Sequence, residues 1–413
     1  MIQKIKGTMD ILPDETPLFR YIEGIMREEA EKCGFGEIRL PTFEQTELFV
    51  RGVGNTTDVV QKEMYTFKDG DGSISLRPEG TAGTVRALIE NGKYGDAMPQ
   101  KYYYIMSCFR HEKPQAGRTR EFFQFGVEMF GAETPAADAT VISLAYSVLK
   151  RLGLEGHVKL HINSIGCPAC RPSYKSALVD YFTDKKASLC ETCLERLQKN
   201  PLRLLDCKVP SCAAIAKEAP RTVDSLCSDC QTHFDALCKS LEAMNIPYEI
   251  DSSIVRGLDY YTGTVFEFVA DGIGAQSTVC GGGRYDGLVE SLGGPKLSGI
   301  GFGMGLTRVI MTMQQHGISP VSPAKPRLYI ASLGANAQTF ALSIVSRLRQ
   351  EGIYAECDLV GRSLKAQMKY ADKIGAAYTL IIGDTEIETG KANLRDMASS
   401  EQKEVLLSSF SLS

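Results

Sequence analysis

The stretch FRHEKPQAGRTREFFQFGVEMFG, residues 109–131, joins a basic loop to an aromatic strand. Side chains of a strand alternate between two faces. Over 121–130 that period puts Phe122, Gln124, Gly126 and Glu128 on one face and Phe123, Phe125, Val127 and Met129 on the other. Just upstream, KYYYIMSCFRHE (101–112) is a second aromatic run, so 101–130 reads as a hairpin whose loop is KPQAGRTR (113–120). A glutamate and a glutamine in such a strand are costly to bury without partners. Either a structural ion pair or a polar ligand pocket would meet that cost. Arg110 stands on the facing strand, and Arg118 and Arg120 lie in the loop. Guanidinium forks hold phosphate oxygens in fixed geometry, so this floor suits a polyphosphate.

Three further segments carry more chemistry than packing requires. RGLDYYTGTVFE (256–267) crowds Arg, Asp and adjacent tyrosines. GGGRYD (281–286) permits close backbone approach to a ligand. SGIGFGMGLTR (298–308) is a glycine-rich strand that runs into a helix starting near Arg308. None is a Walker A loop, which needs Gly-Lys-Ser/Thr, and no GxGxxG sits at a strand-to-helix turn. Each glycine run alone says little; their order says more.

The chain has 413 residues, enough for two to three domains, with 43% hydrophobic and 23% charged residues. That balance excludes a mostly disordered chain or a collagen-like repeat. No apolar run approaches the roughly 18 residues of a membrane span, and MIQKIKGTMDILPDE (1–15) lacks the apolar stretch of an export signal. The formal charge of −4 leaves nucleic-acid contact to local basic patches. Residues 15–33 read as an amphipathic helix, with Phe19, Ile22, Ile25 and Met26 on one face; 138–153 and 305–317 read as further helices. SPVSPAKP (319–326), with three prolines, is a linker. Beyond it, strand (327–333), helix (336–351), strand (353–359), helix (363–375) and strand (377–383) alternate as in an α/β unit. Arg362, Lys365, Lys369 and Lys373 form a basic stripe there, either a solvated face or a nucleic-acid contact.

Nine of the thirteen cysteines fall between Cys167 and Cys238. Without an export signal the expected compartment is the reducing cytosol, where close pairs point to metal or free thiols before disulfides. The pairs are Cys167/Cys170, Cys190/Cys193, Cys207/Cys212 and Cys227/Cys230, three of them CxxC. That spacing suits tetrahedral zinc. The favoured quartet is Cys167, Cys170, Cys190 and Cys193; free thiols on a helical insert are the alternative.

In this order the segments resemble class II aminoacyl-tRNA synthetases, and within them the histidyl-tRNA synthetase family. KGTMDILPDE (6–15) is similar to the family's N-terminus, and GFGEIRLPTFEQTELFVRGVG (34–54), with Pro41, to motif 1, the dimer-interface element. LRPEGTAG (76–83) resembles the substrate-binding loop, 109–131 motif 2, RGLDYY the histidine signature, and GFGMGLTR (301–308) motif 3. The resemblance implies an α+β fold. A class II catalytic core, an antiparallel sheet flanked by helices, spans 1–324 and is interrupted by a Cys-rich helical insertion at 167–245. An α/β anticodon-binding domain follows at 325–413.

The same resemblance implies the chemistry. L-Histidine is activated with ATP, as its Mg2+ complex, to histidyl-adenylate and pyrophosphate, then transferred to the 3′-terminal adenosine of histidine tRNA. Arg110 and Arg256 are the implied catalytic cations. Arg110, Glu112, Arg118, Phe122 and Arg308 bind ATP. Glu79, Thr81, Gln124, Glu128, Arg256, Tyr260 and Tyr261 bind histidine, with Glu128 and Tyr261 on the imidazole. A homodimer in the cytoplasm, without membrane contact, is the implied setting. NPLRLLDCK (200–208) resembles metal-free relatives. The match departs at Thr307, where the family commonly has an acidic residue before the arginine, and SSFSLS (408–413) stops near where a last helix is expected. The rival reading is a non-catalytic regulatory subunit of ATP phosphoribosyltransferase, which resembles the same core. Such subunits look degenerate at the arginines and lack the C-terminal domain. A tRNA-binding module without catalysis is disfavoured by the same arginines.

Overall fold

Strands Gln100–Phe109 and Glu121–Phe130 pair antiparallel, Gln100 opposite Phe130 and Phe109 opposite Glu121, as the aromatic hairpin requires. The computed structural model describes the chain apart from residues 56, 116, 206, 208, 272–276 and 413. Ala116 of the hairpin loop, and Asp206 and Lys208 of the 200–208 stretch, thus lie outside the described residues. Strand Gly299–Gly305 adds beside Glu121–Phe130, followed by Thr278–Arg284, Thr262–Ala270 and Val158–Ser164, all antiparallel. At the edges, the two-residue strands Gly36–Glu37 and Glu249–Ile250 pair parallel with their neighbours, which makes the eight-stranded sheet mixed. Parallel pairing needs a long crossover. Both edge segments have one, because whole substructures separate them from the strands they join.

One face of this sheet carries the main core. Phe125, Val127 and Met129 pack there with Ile22, Ile25 and Met26 of helix Thr16–Lys32 and with helices Pro135–Arg151 and Leu306–Gln315. Helix Ser228–Ala243 returns to the same core through Phe234, Leu237 and Leu241. The other face holds helix Thr81–Glu90, and a three-stranded sheet is built from Phe43–Gln45, Thr66–Asp69 and Gly72–Leu76. The Cys-rich segment folds as helices Arg171–Thr183, Glu191–Lys199 and Pro210–Lys217, joined by short turns.

The chain forms two compact units, Met1–Val321 and Ser322–Ser413. In the second unit, Leu328–Ser332 pairs parallel with Ala355–Cys357 and Tyr378–Ile382, and two antiparallel strands, Lys391–Asp396 and Gln402–Leu406, complete the sheet. Helix Ala335–Gln350 covers one face through Ala337, Ala341 and Ile344. Helix Leu364–Lys373 contributes Ala371 to a separate cluster with Tyr329 and Ala331. The final turn, Leu407–Ser409, buries Leu407, with Phe410 beside it. Among the described residues no helix is long and apolar enough to cross a membrane.

Candidate active site

Glu128 lies opposite Gly301 on the neighbouring strand, and a Cβ on that glycine would overlap its carboxylate. The glycine strand thus leaves room for a polar side chain flat on the sheet. Glu128 is fully buried. Its Oε1 accepts hydrogen bonds from Thr81 Oγ1 at 2.7 Å and from the Tyr104 hydroxyl at 3.0 Å, and its Oε2 accepts from the Tyr285 hydroxyl. Burial pushes its carboxyl up to about 8, the nearby Glu79 adds to the rise, and the three hydroxyl donors oppose it. Its neighbours are thus hydroxyls and a second carboxyl rather than a cation, so the ion-pair alternative for this residue falls away.

Glu79 is buried too, accepting the backbone N–H groups of Thr81 at 2.6 Å and Ala82 at 2.9 Å where helix Thr81–Glu90 begins. A helix N-terminus favours an acidic partner, yet burial still raises this carboxyl above its ordinary range. Tyr260 packs 4.6 Å from the Tyr261 ring and 5.6 Å from that of Tyr285. The Arg256 guanidinium lies 5.6 Å from the Tyr261 ring centre and is ion-paired with Glu267, which also accepts from Thr278 Oγ1 at 2.7 Å. Burial is the largest influence and works against the Arg256 charge, but Glu267, Tyr261 and Tyr260 together outweigh it and hold the cation above its usual range. Arg256 sits over Gly281, where any side chain would strike it.

Arg256 and Gln124 line a cleft of about 1020 Å³ together with Arg110, Arg118, Phe122 and Arg308. Arg110 donates from Nε to the Pro78 carbonyl at 2.9 Å, and its guanidinium lies 5.4 Å from the Phe122 ring centre. Glu112 sits between Arg118 at 2.7 Å and Arg110 at 3.9 Å. Arg308 is held by the carbonyls of Gly117 at 3.2 Å and Thr278 at 2.6 Å. Burial, then the like charges of Arg118 and Arg110, depress its guanidinium. Arg110, Arg118 and Arg308 crowd like charges into one cavity at an electrostatic cost that a bound polyanion would relieve. Thr307 lines the cleft with a buried hydroxyl that finds no partner among the described residues. Arg120 does not line it; its backbone instead bonds Gly7 and Arg110.

Sequence reasoning named most of this cluster but missed Tyr104, Tyr285, Glu267 and Thr278. Hairpin register was the available signal for Tyr104, which lies opposite Gly126, two positions from Glu128 on the same face. Only the meeting of distant strands brings in Tyr285.

Two expectations need correction. Cys167 and Cys170 do not join Cys190 and Cys193. The eight paired cysteines form two separate groups, Cys167/Cys170/Cys227/Cys230 and Cys190/Cys193/Cys207/Cys212. The first joins the beginning of the excursion, just after strand Val158–Ser164, to the start of helix Ser228–Ala243, and the second lies wholly within that excursion. The basic stripe also changes. Arg362 is tied to Asp358 through Nη1 and its backbone N–H, both at 2.7 Å, and stacks over Tyr370. Lys365, Lys369 and Lys373 remain exposed on one side of their helix.

A largely antiparallel sheet flanked by helices, a guanidinium-ringed cleft and a buried carboxyl beyond it together define a class II aminoacyl-tRNA synthetase core. Residues 7–309 match the histidyl-tRNA synthetase family model, and residues 327–411 match that of an anticodon binding domain. The chain is 54% identical to the histidine–tRNA ligase of Acetivibrio thermocellus over 408 residues, 98% of each chain. It is 51% identical to that of Clostridioides difficile over 407 residues, 98% of this chain and 97% of the relative. The crystal structure of apo histidyl-tRNA synthetase from S. aureus superposes with a TM-score of 0.82 at 39% identity, covering 99% of this chain and 98% of that one. The chain belongs to the histidyl-tRNA synthetase family.

Proposed function

We infer that this chain acts as a histidine–tRNA ligase, and the observation that carries the reading is the pairing of two unlike regions on one sheet. Arg110, Arg118 and Arg308 surround a cavity suited to triphosphate. Buried Glu128 with its tyrosines forms a polar pocket suited to imidazole. A histidine carboxylate oxygen attacks the ATP α-phosphorus and forms the O–P bond. The bond to the β-phosphate oxygen breaks, and pyrophosphate departs with the electron pair. Charge grows on phosphoryl oxygens, so cations fixed in advance lower the barrier.

In this reading Arg110 and Arg256 face the α-phosphate, Arg118 and Arg308 the outer phosphates, and Phe122 stacks on adenine. Glu79, Thr81 and Gln124 hold the α-amino group. Glu128 and Tyr261 bind the imidazole, with Tyr260 packed behind. Magnesium enters with ATP, and Glu112 and Glu267 are carboxylates on the cleft of the oxygen-donor type that ion takes. A ribose hydroxyl of the 3′-terminal adenosine of histidine tRNA then attacks the acyl carbon of the adenylate. The ester forms as the anhydride bond breaks and AMP leaves, with Lys365, Lys369 and Lys373 contacting the tRNA phosphates. The working form is a cytoplasmic homodimer joined around Pro41. The regulatory-subunit reading loses ground, because every arginine of the phosphate site is present and residues 327–411 match the anticodon-binding model. ATP–pyrophosphate exchange against each standard amino acid tests the assignment. Exchange with histidine alone is expected; exchange with none, or with a different amino acid, overturns it.

A further inference from the structure

We propose that the Cys-rich excursion is built around two tetrathiolate zinc sites, one at its neck and one at its tip. The neck site is Cys167, Cys170, Cys227 and Cys230; the tip site is Cys190, Cys193, Cys207 and Cys212. Within each group the four sulfurs all lie within 4.8 Å of one another. Cys167 Sγ stands 3.6 Å from Cys170 Sγ and 4.0 Å from Cys227 Sγ, and Cys190 Sγ stands 3.9 Å from Cys207 Sγ. Zn–S bonds of about 2.3 Å in a tetrahedron place sulfurs about 3.8 Å apart. A disulfide needs about 2.05 Å. The observed separations fit the metal geometry and not the covalent bond.

The local structure prepares each set of thiolates. Cys190 and Cys227 precede the first residues of helices Glu191–Lys199 and Ser228–Ala243, and their CxxC partners Cys193 and Cys230 fall in the first turns. Cys170 caps helix Arg171–Thr183, and Cys212 lies in the first turn of Pro210–Lys217. Every group therefore sits on two helix N-termini, whose unpaired N–H groups favour negative charge. Two backbone donors point at sulfur itself, Cys227 N–H at Cys170 and Cys190 N–H at Cys212, 3.1 and 3.2 Å away. Such donors orient and stabilise metal-bound thiolates.

Ordinary packing does not account for this arrangement. Buried cysteines that pack as small hydrophobes are scattered, as Cys108, Cys280 and Cys357 are here. The excursion consists of short helices whose apolar side chains, Tyr174, Leu178 and Phe182 among them, join a cluster shared with the sheet and helix Thr81–Glu90. A metal clamp at each end would fix helices that have no separate core of their own. Its tip is also near the chemistry, since Cys190 and Cys207 line the same cleft as Arg110 and Arg308.

Metal analysis of the full chain, purified without chelator or affinity metal, tests the proposal. Two equivalents of zinc per chain are expected. Cys227→Ser and Cys212→Ser should each lower the content to about one, whereas Cys33→Ser should leave two. Should a serine variant fail to fold, the wild-type protein grown with cobalt in place of zinc supplies a second readout. Two equivalents of Co2+ with the intense charge-transfer and visible bands of tetrahedral tetrathiolate cobalt are expected. One equivalent or less of either metal, zinc that survives loss of both groups, or disulfides joining these cysteines in fresh protein would overturn the proposal.

Discussion

Glu128→Gln keeps the shape of the side chain and removes its ability to ionise. The amide oxygen can still accept from Thr81 and Tyr104, as Oε1 does. Tyr285 then meets an amide NH2, and its hydroxyl turns to accept. One exchanged hydrogen bond costs about 1 kcal/mol, and no cation is left unpaired, so the fold should survive. The pH dependence is the sharper signature. With its carboxyl raised to about 8, Glu128 is neutral near pH 6 and ionised near pH 9. A neutral acid and an amide offer the imidazole bonds of similar strength, whereas a carboxylate bond is roughly twice as strong. That difference, about 1.4 kcal/mol, is tenfold in affinity. The ratio of histidine dissociation constants, variant over wild type, should rise from about one near pH 6 to about ten near pH 9. Taking the ratio cancels the titration of free histidine. Stability moves in the opposite sense. Because folding raises this pKa, its contribution is full below the ordinary 4.5 and is lost as pH rises through about 8. The variant lacks that loss and should melt no lower than wild type near pH 9. Calorimetric titration with histidine across this range, alongside the Michaelis constant for ATP, is the assay. A flat ratio, or an equal penalty on ATP, would refute the assignment.

Arg256→Ala should slow adenylation by about a hundred- to a thousandfold, the 3–4 kcal/mol expected for one cation aimed at transition-state charge. Binding of tRNA should stay nearly constant; pyrophosphate exchange and filter binding separate the two. Replacing Lys365, Lys369 and Lys373 by alanine should flatten the salt dependence of tRNA binding by about two in log–log slope, at roughly 0.7 per phosphate contact. Pyrophosphate exchange should not change, and an unaltered slope would make the stripe a solvated face. Sedimentation at nanomolar concentration should give a dimer, and a fully active monomer would sink that expectation.

Local pattern carried a large part of this protein. Alternation along 121–130 placed Gln124 and Glu128 on one face before any fold was known, because a strand's period is set by backbone geometry alone. The C-terminal alternation of strands and helices was legible for the same reason, as was the cysteine spacing, since a CxxC pair reports its own ligand geometry. Contacts between distant segments were decided elsewhere. Four cysteine pairs can be combined in more than one way, and the path of the chain selected Cys227/Cys230 for Cys167/Cys170. Asp358 withdrew Arg362 from the basic stripe, a contact that the helical period of the lysines does not encode. Tyr104 and Tyr285 became partners of Glu128 because sheet register and a crossover brought three strands together. Periodicity and spacing are properties of one segment; the company a buried charge keeps is a property of the packed whole, where desolvation forces each polar group to find a partner.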